Sequence, residues 1–524
     1  MKNEVLNVKV PQQEQDLFNA LYKKIHIDGQ IMCLGQLLDR SAHLYPDNIA
    51  LIWQDRSITY KELYYRASLL STTLRQMGLK PRDRVLLFFE NSFEFYIGYF
   101  AVVQAGGVIA PLNTFLHENE LRHIVHDAQP TFIITASVHV ELFKKVQADT
   151  IAQLVTESSM DLVSEVPTTI ARAEITKLDP EEMAALLYTS GTTGLPKGVM
   201  LSSKNIMTNT VQGMSRSPQD HERILGVLPL FHSFAQNVCV WSSIFSGFTV
   251  ILIPKIDRRY LVQGLSHKPT ILFGVPALYG FFCLMRTAQF PDIKMFVSGG
   301  DVLPDKIRAG FELLYRRRIC NGYGLTEATP FVSVDLQDVT EPTSCIGHPL
   351  VGIDVAIIDE HEQRLPQGEI GHLILKGDNI MLGYYNAPDM TAATIKDGWL
   401  YTGDLAYLDQ NGKIVITGRI KDLIIHKGFN IYPPEIENVI LSYANAIRVG
   451  VVGKRGNDGE EFPVAFVQIR VEEPGIEQAL KKLCVQQLAS YKVPREFYVT
   501  TEDMVTTSTG KVDKKVLRAK LEKA

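Results

Sequence analysis

Twelve consecutive residues, Tyr188-Thr189-Ser190-Gly191-Thr192-Thr193-Gly194-Leu195-Pro196-Lys197-Gly198-Val199, carry four aliphatic hydroxyls, three glycines and a lysine. Glycines let backbone N–H groups close on an anion and hydroxyls donate to its oxygens, so the stretch has the chemistry of a phosphate cradle. It is not a Walker loop. That motif needs Gly-Lys-Ser/Thr opening a helix, whereas Lys197 follows Pro196 and precedes Gly198. Composition alone accounts for a surface turn equally well.

Further clusters could work with such a cradle. Asn321-Gly322-Tyr323-Gly324-Leu325-Thr326-Glu327-Ala328-Thr329 sets an aromatic ring, hydroxyls and a carboxylate beside two glycines. Tyr323 is suited to stack on a purine, and Glu327 offers the hard oxygen that Mg²⁺ prefers. Val297-Ser298-Gly299-Gly300-Asp301 would let a flat ligand approach backbone, although an ordinary strand-end turn has the same composition. Asp404, in Tyr401-Thr402-Gly403-Asp404-Leu405, suits a ribose diol or a turn. Gly418-Arg419-Ile420-Lys421-Asp422 and His426-Lys427-Gly428-Phe429-Asn430-Ile431-Tyr432-Pro433 follow, and Lys511 closes Ser508-Thr509-Gly510-Lys511 near the C-terminus. Alone, Lys511 reads as a solvated surface lysine.

The elements that must position these residues are those of a globular α/β protein. At 524 residues, 46% apolar and 21% charged, the chain is long enough for two or more domains and too apolar to be disordered. A net charge of -5 leaves no electrostatic footprint for nucleic acid. The six cysteines form no Cys-x-x-Cys pair, which argues against zinc and a disulfide framework. Met1 to Gln15 lacks the apolar core of a signal peptide, so a cytoplasmic, reducing setting is expected. Ile224 to Pro254 has no charged side chain, but Pro229, His232, Gln236, Asn237 and Gly247 interrupt it, and it reads as a buried helix and strand rather than a transmembrane segment. Peripheral membrane contact stays open.

Apolar runs at Val85–Phe89, Val108–Pro111 and Thr131–Thr135 alternate with helical patterns at Ser92–Ala105 and Glu118–Asp127, which implies parallel sheets covered on both faces. Thr59, with Glu62 three residues on, is a helix start, and Ser203–Met214 reads as a helix. From Ile346 the pattern changes to short strands, with Asn411-Gly412 as a hairpin turn, so a small β-rich lobe is expected. Beyond Gly418 a compact α+β unit reads through to the helix Gly475–Leu488.

Taken together, in order and spacing from about Leu34 to Arg518, these motifs resemble the adenylate-forming superfamily, and most closely its AMP-forming acyl-CoA synthetases for fatty acids. The resemblance implies an α/β fold: a large N-terminal adenylation domain, 1–420, of sheets covered by helices with a β-rich lobe, and a small mobile α+β domain, 421–524, hinged at Lys421. It implies ATP, Mg²⁺ and CoA as partners, and attack of a carboxylate on the α-phosphate. Thr189, Ser190, Gly191, Thr192, Thr193, Gly194 and Lys197 would grip the phosphates. Thr189 and Glu327 would place the metal, and Tyr323, Gly300, Gly324, Thr326, Asp404 and Arg419 would hold the nucleoside. Lys511 would bridge carboxylate and phosphate, and Gly428, Phe429 and Asn430 would meet CoA. His232, in Leu228-Pro229-Leu230-Phe231-His232-Ser233-Phe234-Ala235, resembles the family's gate at an acyl pocket that also includes Ser233, Gly299 and Gly324; a satisfied buried histidine is the competing reading. Ala235 and Asp301 depart from the family pattern.

Amino-acid-activating relatives use an aspartate in the gate region, so an unsubstituted acid is expected, a medium- or long-chain fatty acid ahead of an aryl acid. The absence of an extra segment between Gly347 and Gly418 favours CoA over an acyl carrier protein as acceptor. A scaffold that binds ATP without turnover is the non-enzymatic alternative, and Glu327 and Lys511 argue against it.

Overall fold

β-Branched and aromatic side chains suit a pleated surface buried on both faces, and runs of them build two sheets in the large domain. The computed structural model describes residues 11–146, 152–160, 166–167, 173–190, 195–217, 220–285, 288–336, 344–426, 429–456, 460–507 and 511–523. Seven strands lie in the order Gly383–Tyr384, Pro196–Ser202, Met183–Ser190, Val108–Pro111, Arg84–Phe88, Phe132–Thr135, Gln153–Thr156. Eight more follow the order Phe331–Asp335, Ile319–Gly324, Met295–Ser298, Ile271–Gly274, Arg223–Gly226, Thr249–Leu252, Ile49–Trp53, Arg56–Thr59.

Pairing is parallel through most of both sheets, as the alternation of strands and helices implies. It turns antiparallel at the Ile49–Thr59 hairpin, at Ile319–Gly324 with Phe331–Asp335, and where the Thr189-to-Lys197 loop returns the chain. Connections that short cannot carry a crossover helix, so they join antiparallel strands.

Helix starts follow the local chemistry. Thr59 and Glu62 form a reciprocal capping box ahead of Tyr60–Gln76, and Ser92 accepts from the Phe95 N–H ahead of Phe93–Gln104. Ser203–Met214 is a helix over the span expected. The uncharged stretch begins inside the strand Arg223–Gly226 and runs through one buried helix, Ser233–Ser246, whose middle turn, Gln236–Trp241, has π geometry, to the strand Thr249–Leu252. Among the described residues no helix is long and apolar enough to cross a membrane.

The β-rich lobe is a six-stranded sheet in which Trp399–Leu408 and Ile414–Arg419 pair antiparallel. The small C-terminal domain packs helices Pro433–Leu441 and Ile476–Gln487 on the sheet Ala446–Arg455, Glu461–Ile469, Glu496–Thr500. It has its own core, centred on Ile424, Ile436, Val451, Val467 and Leu480.

Candidate functional site

The ends of the phosphate-cradle motif lie on two antiparallel β-strands. These strands, Met183–Ser190 and Pro196–Ser202, put Thr189 opposite Lys197. Pro196 begins the returning strand, a position where a missing N–H is tolerated. Gly191, Thr192, Thr193, Gly194 and the Ser190 side chain lie outside the described residues. On the strand Pro196–Ser202, the Lys197 ammonium is 3.2 Å from Glu327 Oε1, donates to the Tyr384 hydroxyl at 2.5 Å and lies 3.9 Å from that ring's centroid. Tyr384 in turn donates to Glu327 Oε1 at 2.8 Å. Burial and the Glu327 charge push the Tyr384 phenol far above its usual range, so it stays a donor.

Beside this group the Thr189 hydroxyl is buried with no hydrogen-bond partner among the described residues. An unsatisfied buried donor costs about 1–3 kcal/mol, which a ligand oxygen or a cation would recover. A hydroxyl and a carboxylate are the hard oxygens Mg²⁺ prefers, and that ion is commonly held by one or two carboxylates plus substrate phosphates. No cluster of three or more His, Cys, Asp or Glu residues suited to a metal occurs among the described residues. The donor set therefore fits an Mg²⁺ that arrives with a polyphosphate.

A second cluster joins the large domain's last strands to the β-rich lobe. Asp404, 4% exposed, is 3.0 Å from Arg419 Nε and accepts the Tyr323 hydroxyl through Oδ2. Across the antiparallel strands of the lobe, Asp404 stands opposite Arg419. The Asp404 charge holds the Arg419 guanidinium more firmly protonated than usual. Burial, then Asp404, keeps the Tyr323 phenol protonated. Thr326 is buried and its hydroxyl meets that of Ser233 at 3.0 Å. Gly324 is a glycine for lack of room: a Cβ there would sit 2.0 Å from the Pro330 carbonyl oxygen.

Lys511, from the small domain, reaches this region with its ammonium 3.8 Å from Asp301 Oδ1. Its charge is also felt at His232, whose imidazole is pushed down to about 4, first by burial and then by Lys511. His232 Nδ1 accepts the Phe234 N–H at 3.2 Å, capping the buried helix. The Phe234 ring lies between Gly299, where a Cβ would touch it at 3.1 Å, and the rings of Phe273 and Phe331, with centroids at 6.1 and 5.7 Å. Past those two rings opens an apolar cavity lined by Met214, Val238, Phe273, Val297, Phe331 and Val334.

Thus the described members of the motifs at 189–197, 297–301, 323–327, 404, 419 and 511 converge on one region, and His232 stands at its apolar side. Lys421 lies in a single turn, Ile420–Asp422, between the lobe and the small domain. Phe429, 55% exposed and stacked on Tyr491 with centroids 4.7 Å apart, and Asn430 sit on the small domain away from this cluster. Gly428 is outside the described residues. Sequence reasoning missed Tyr384, Phe234's position and the cavity walls. These residues carry no local motif and meet the site only through long-range contacts.

Known proteins resemble this chain in sequence and fold. Residues 38–385 match the AMP-binding enzyme family and 435–511 match the AMP-binding enzyme C-terminal domain. A long-chain-fatty-acid–CoA ligase of Bacillus subtilis is 31% identical over 91% of this chain and 93% of its own length. A feruloyl-CoA synthase of Amycolatopsis is equally 31% identical, over 93% of this chain and 98% of its own. Among solved structures, ATP-bound MatB from Rhodopseudomonas palustris is 28% identical and superimposes with a TM-score of 0.85, covering 93% of this chain and 98% of that one. The o-succinylbenzoate CoA synthetase of Bacillus subtilis, in complex with ATP and magnesium ion, is 26% identical with a TM-score of 0.82, covering 93% and 99%. The chain belongs to the AMP-binding, adenylate-forming enzymes, as an acid–thiol ligase of the AMP-forming acyl-CoA synthetase family.

Proposed function

We propose that the chain joins a medium- or long-chain fatty acid to CoA through an acyl-AMP. One observation carries this reading: the Lys511 ammonium, 3.8 Å from Asp301 and within electrostatic reach of His232, lies where the nucleotide-side residues meet an apolar cavity. In the first step a carboxylate oxygen forms a bond to the α-phosphorus of ATP and the bond to pyrophosphate breaks. Thr189, Ser190, Gly191, Thr192, Thr193, Gly194 and Lys197 hold the phosphates. Tyr323 stacks on adenine beside Gly300, Gly324 and Thr326, while Asp404 and Arg419 bind the ribose. Two anions must meet, and Lys511 between them offsets their repulsion. Thr189 and Glu327 would hold Mg²⁺, which supplies electrostatic stabilisation of the phosphate oxygens when bound.

In the second step the domain 421–524 turns about Lys421, away from the adenylation domain 1–420. Lys511 withdraws, and Gly428, Phe429 and Asn430 meet the pantetheine arm. The CoA thiolate then forms a bond to the acyl carbon and AMP leaves. The exposed Phe429 ring supports this assignment. His232 and Ser233, with Gly299 and Gly324, shape the entrance to the acyl pocket. The setting is a reducing cytoplasm.

An aryl acid is the second reading, favoured by the feruloyl-CoA synthase being as similar as the fatty-acid ligase. Pyrophosphate release measured with straight-chain and aryl acids decides between them. Fast release with straight-chain acids, and thioester formed on CoA rather than on an acyl carrier protein, is the expected result. Release with aryl acids alone selects the second reading, and the absence of release with every acid leaves an ATP-binding scaffold.

A further inference from the structure

The apolar cavity has two ends of different chemistry. At one, Phe273 and Phe331 meet Phe234 beside Gly299. From there the cavity follows the strands backwards: Phe273 and Val297 lie near the carboxyl ends of Ile271–Gly274 and Met295–Ser298, and Ile271 and Met295 lie at their starts. The strand Phe331–Asp335 along its wall rises roughly 14 Å at about 3.4 Å per residue. At the far end stands Arg216, just past the helix Ser203–Met214.

Arg216 is 9% exposed at its side chain and makes four donor contacts. Nη1 donates to the carbonyls of Val334 and His348 at 3.2 and 2.7 Å, Nη2 donates to that of Pro349 at 2.9 Å, and Nε donates to Glu14 Oε1 at 2.7 Å. Glu14 is itself 11% exposed and belongs to the N-terminal helix Gln12–Lys24. That helix lies ahead of residue 38, where the family match begins. It is fastened to the large domain by Leu21, which is buried, and by Leu17, Phe18 and Tyr22 packed on the core. A largely buried carboxylate opposite a largely buried guanidinium makes a stiff, charge-assisted contact, and an alkyl tail that pushed into it would desolvate the charges or drive them apart.

We propose that the Glu14–Arg216 pair is the end-stop of the acyl cavity, a specificity-determining latch that sets the longest apolar tail the chain accepts. The inference rests on the reading of the cavity as the seat of the acid's tail. Tails that end short of Arg216 gain apolar contact with each added methylene; the first tail to reach the pair meets a closed polar wall, and kcat/KM falls there. Neither residue touches the nucleotide cluster, so the latch acts on tail length and not on the chemistry.

The test is kcat/KM for a series of saturated straight-chain acids, with Mg²⁺, ATP and CoA, in the wild-type chain, in Glu14→Ala and in the conservative Glu14→Gln, which keeps a hydrogen-bond acceptor for Arg216. Glu14→Ala is expected to leave acids below the native limit unchanged and to raise those beyond it, relative to the short ones, by about tenfold or more, the lower end of what one methylene is worth in an apolar pocket. Glu14→Gln is expected to fall between, with thermal unfolding confirming that both variants are folded. A profile of unchanged shape, or a uniform fall at every length, would overturn the latch and leave the pair a purely structural contact. Failure of the wild-type chain to activate any straight-chain acid would instead sink the fatty-acid reading on which the latch depends.

Discussion

Burial holds the His232 imidazole neutral, and its Nδ1 must stay unprotonated to accept the Phe234 N–H at 3.2 Å. The folded-state pKa of about 4 lies below the ordinary 6.5, so between those values the unfolded chain takes up the proton that the folded chain refuses. Stability attached to this group is complete above pH 6.5 and is lost as the pH falls toward 4, by up to about 1.4 kcal/mol per unit. Replacing it in His232→Phe should therefore cost most near neutral pH, with the difference from wild type shrinking steadily on acidification, as read by denaturant unfolding at several pH values. A difference that does not change with pH would remove this account of the residue. Glu327, Tyr323, Asp404 and Lys511 could be singled out in the sequence because each belongs to a short cluster of unlike functional groups. Tyr384 could not: it reaches Lys197 across 187 positions, and the pair Tyr384-Tyr385 after a glycine has no signature of its own.

Strand edges do the positioning at the next scale. The strand Ile319–Gly324 carries Tyr323 to Asp404, and its last residue meets the returning Pro330 backbone so closely that a methyl group at Gly324 has no space. Gly324→Ala should force the two strands apart, costing about 1–3 kcal/mol as overpacking does and weakening ATP binding, seen as a lower unfolding temperature and a raised KM for ATP. An unaltered unfolding temperature would contradict the fit described. Elements of this kind were largely legible in advance, since the Thr59–Glu62 box, the Ser92 cap and the helix Ser203–Met214 are set by residues three or four positions apart. The antiparallel pairing of the strands on either side of the phosphate loop was not, because Gly, Ser and Thr serve equally in a turn between strands and in one leading to a helix. The closed end of the cavity was illegible for a different reason: Glu14 and Arg216 are 202 positions apart, and such pairings leave no period in the sequence.

The whole molecule is two domains in one particular embrace. Besides Lys511 with Asp301, the Lys306 ammonium of the large domain donates to the Tyr443 carbonyl at 2.8 Å, just beyond the helix Pro433–Leu441, where the helix dipole is negative. Contacts at the edge of a moving domain bias its position without touching the reactants. Lys306→Ala should slow acyl-AMP formation several-fold while leaving thioester formation from supplied acyl-AMP unchanged or faster; equal slowing of both would show that the contact does not favour one orientation. If this embrace is the adenylate-forming one, Lys511 is its working group. The most direct measurement is to assay the two half-reactions separately in Lys511→Ala. Acid-dependent ATP–pyrophosphate exchange is predicted to fall by about 10²–10³-fold, the usual loss for removing one group that stabilises transition-state charge, while transfer of the acyl group from supplied acyl-AMP to CoA persists; equal loss of both half-reactions, or an unimpaired exchange, would contradict it.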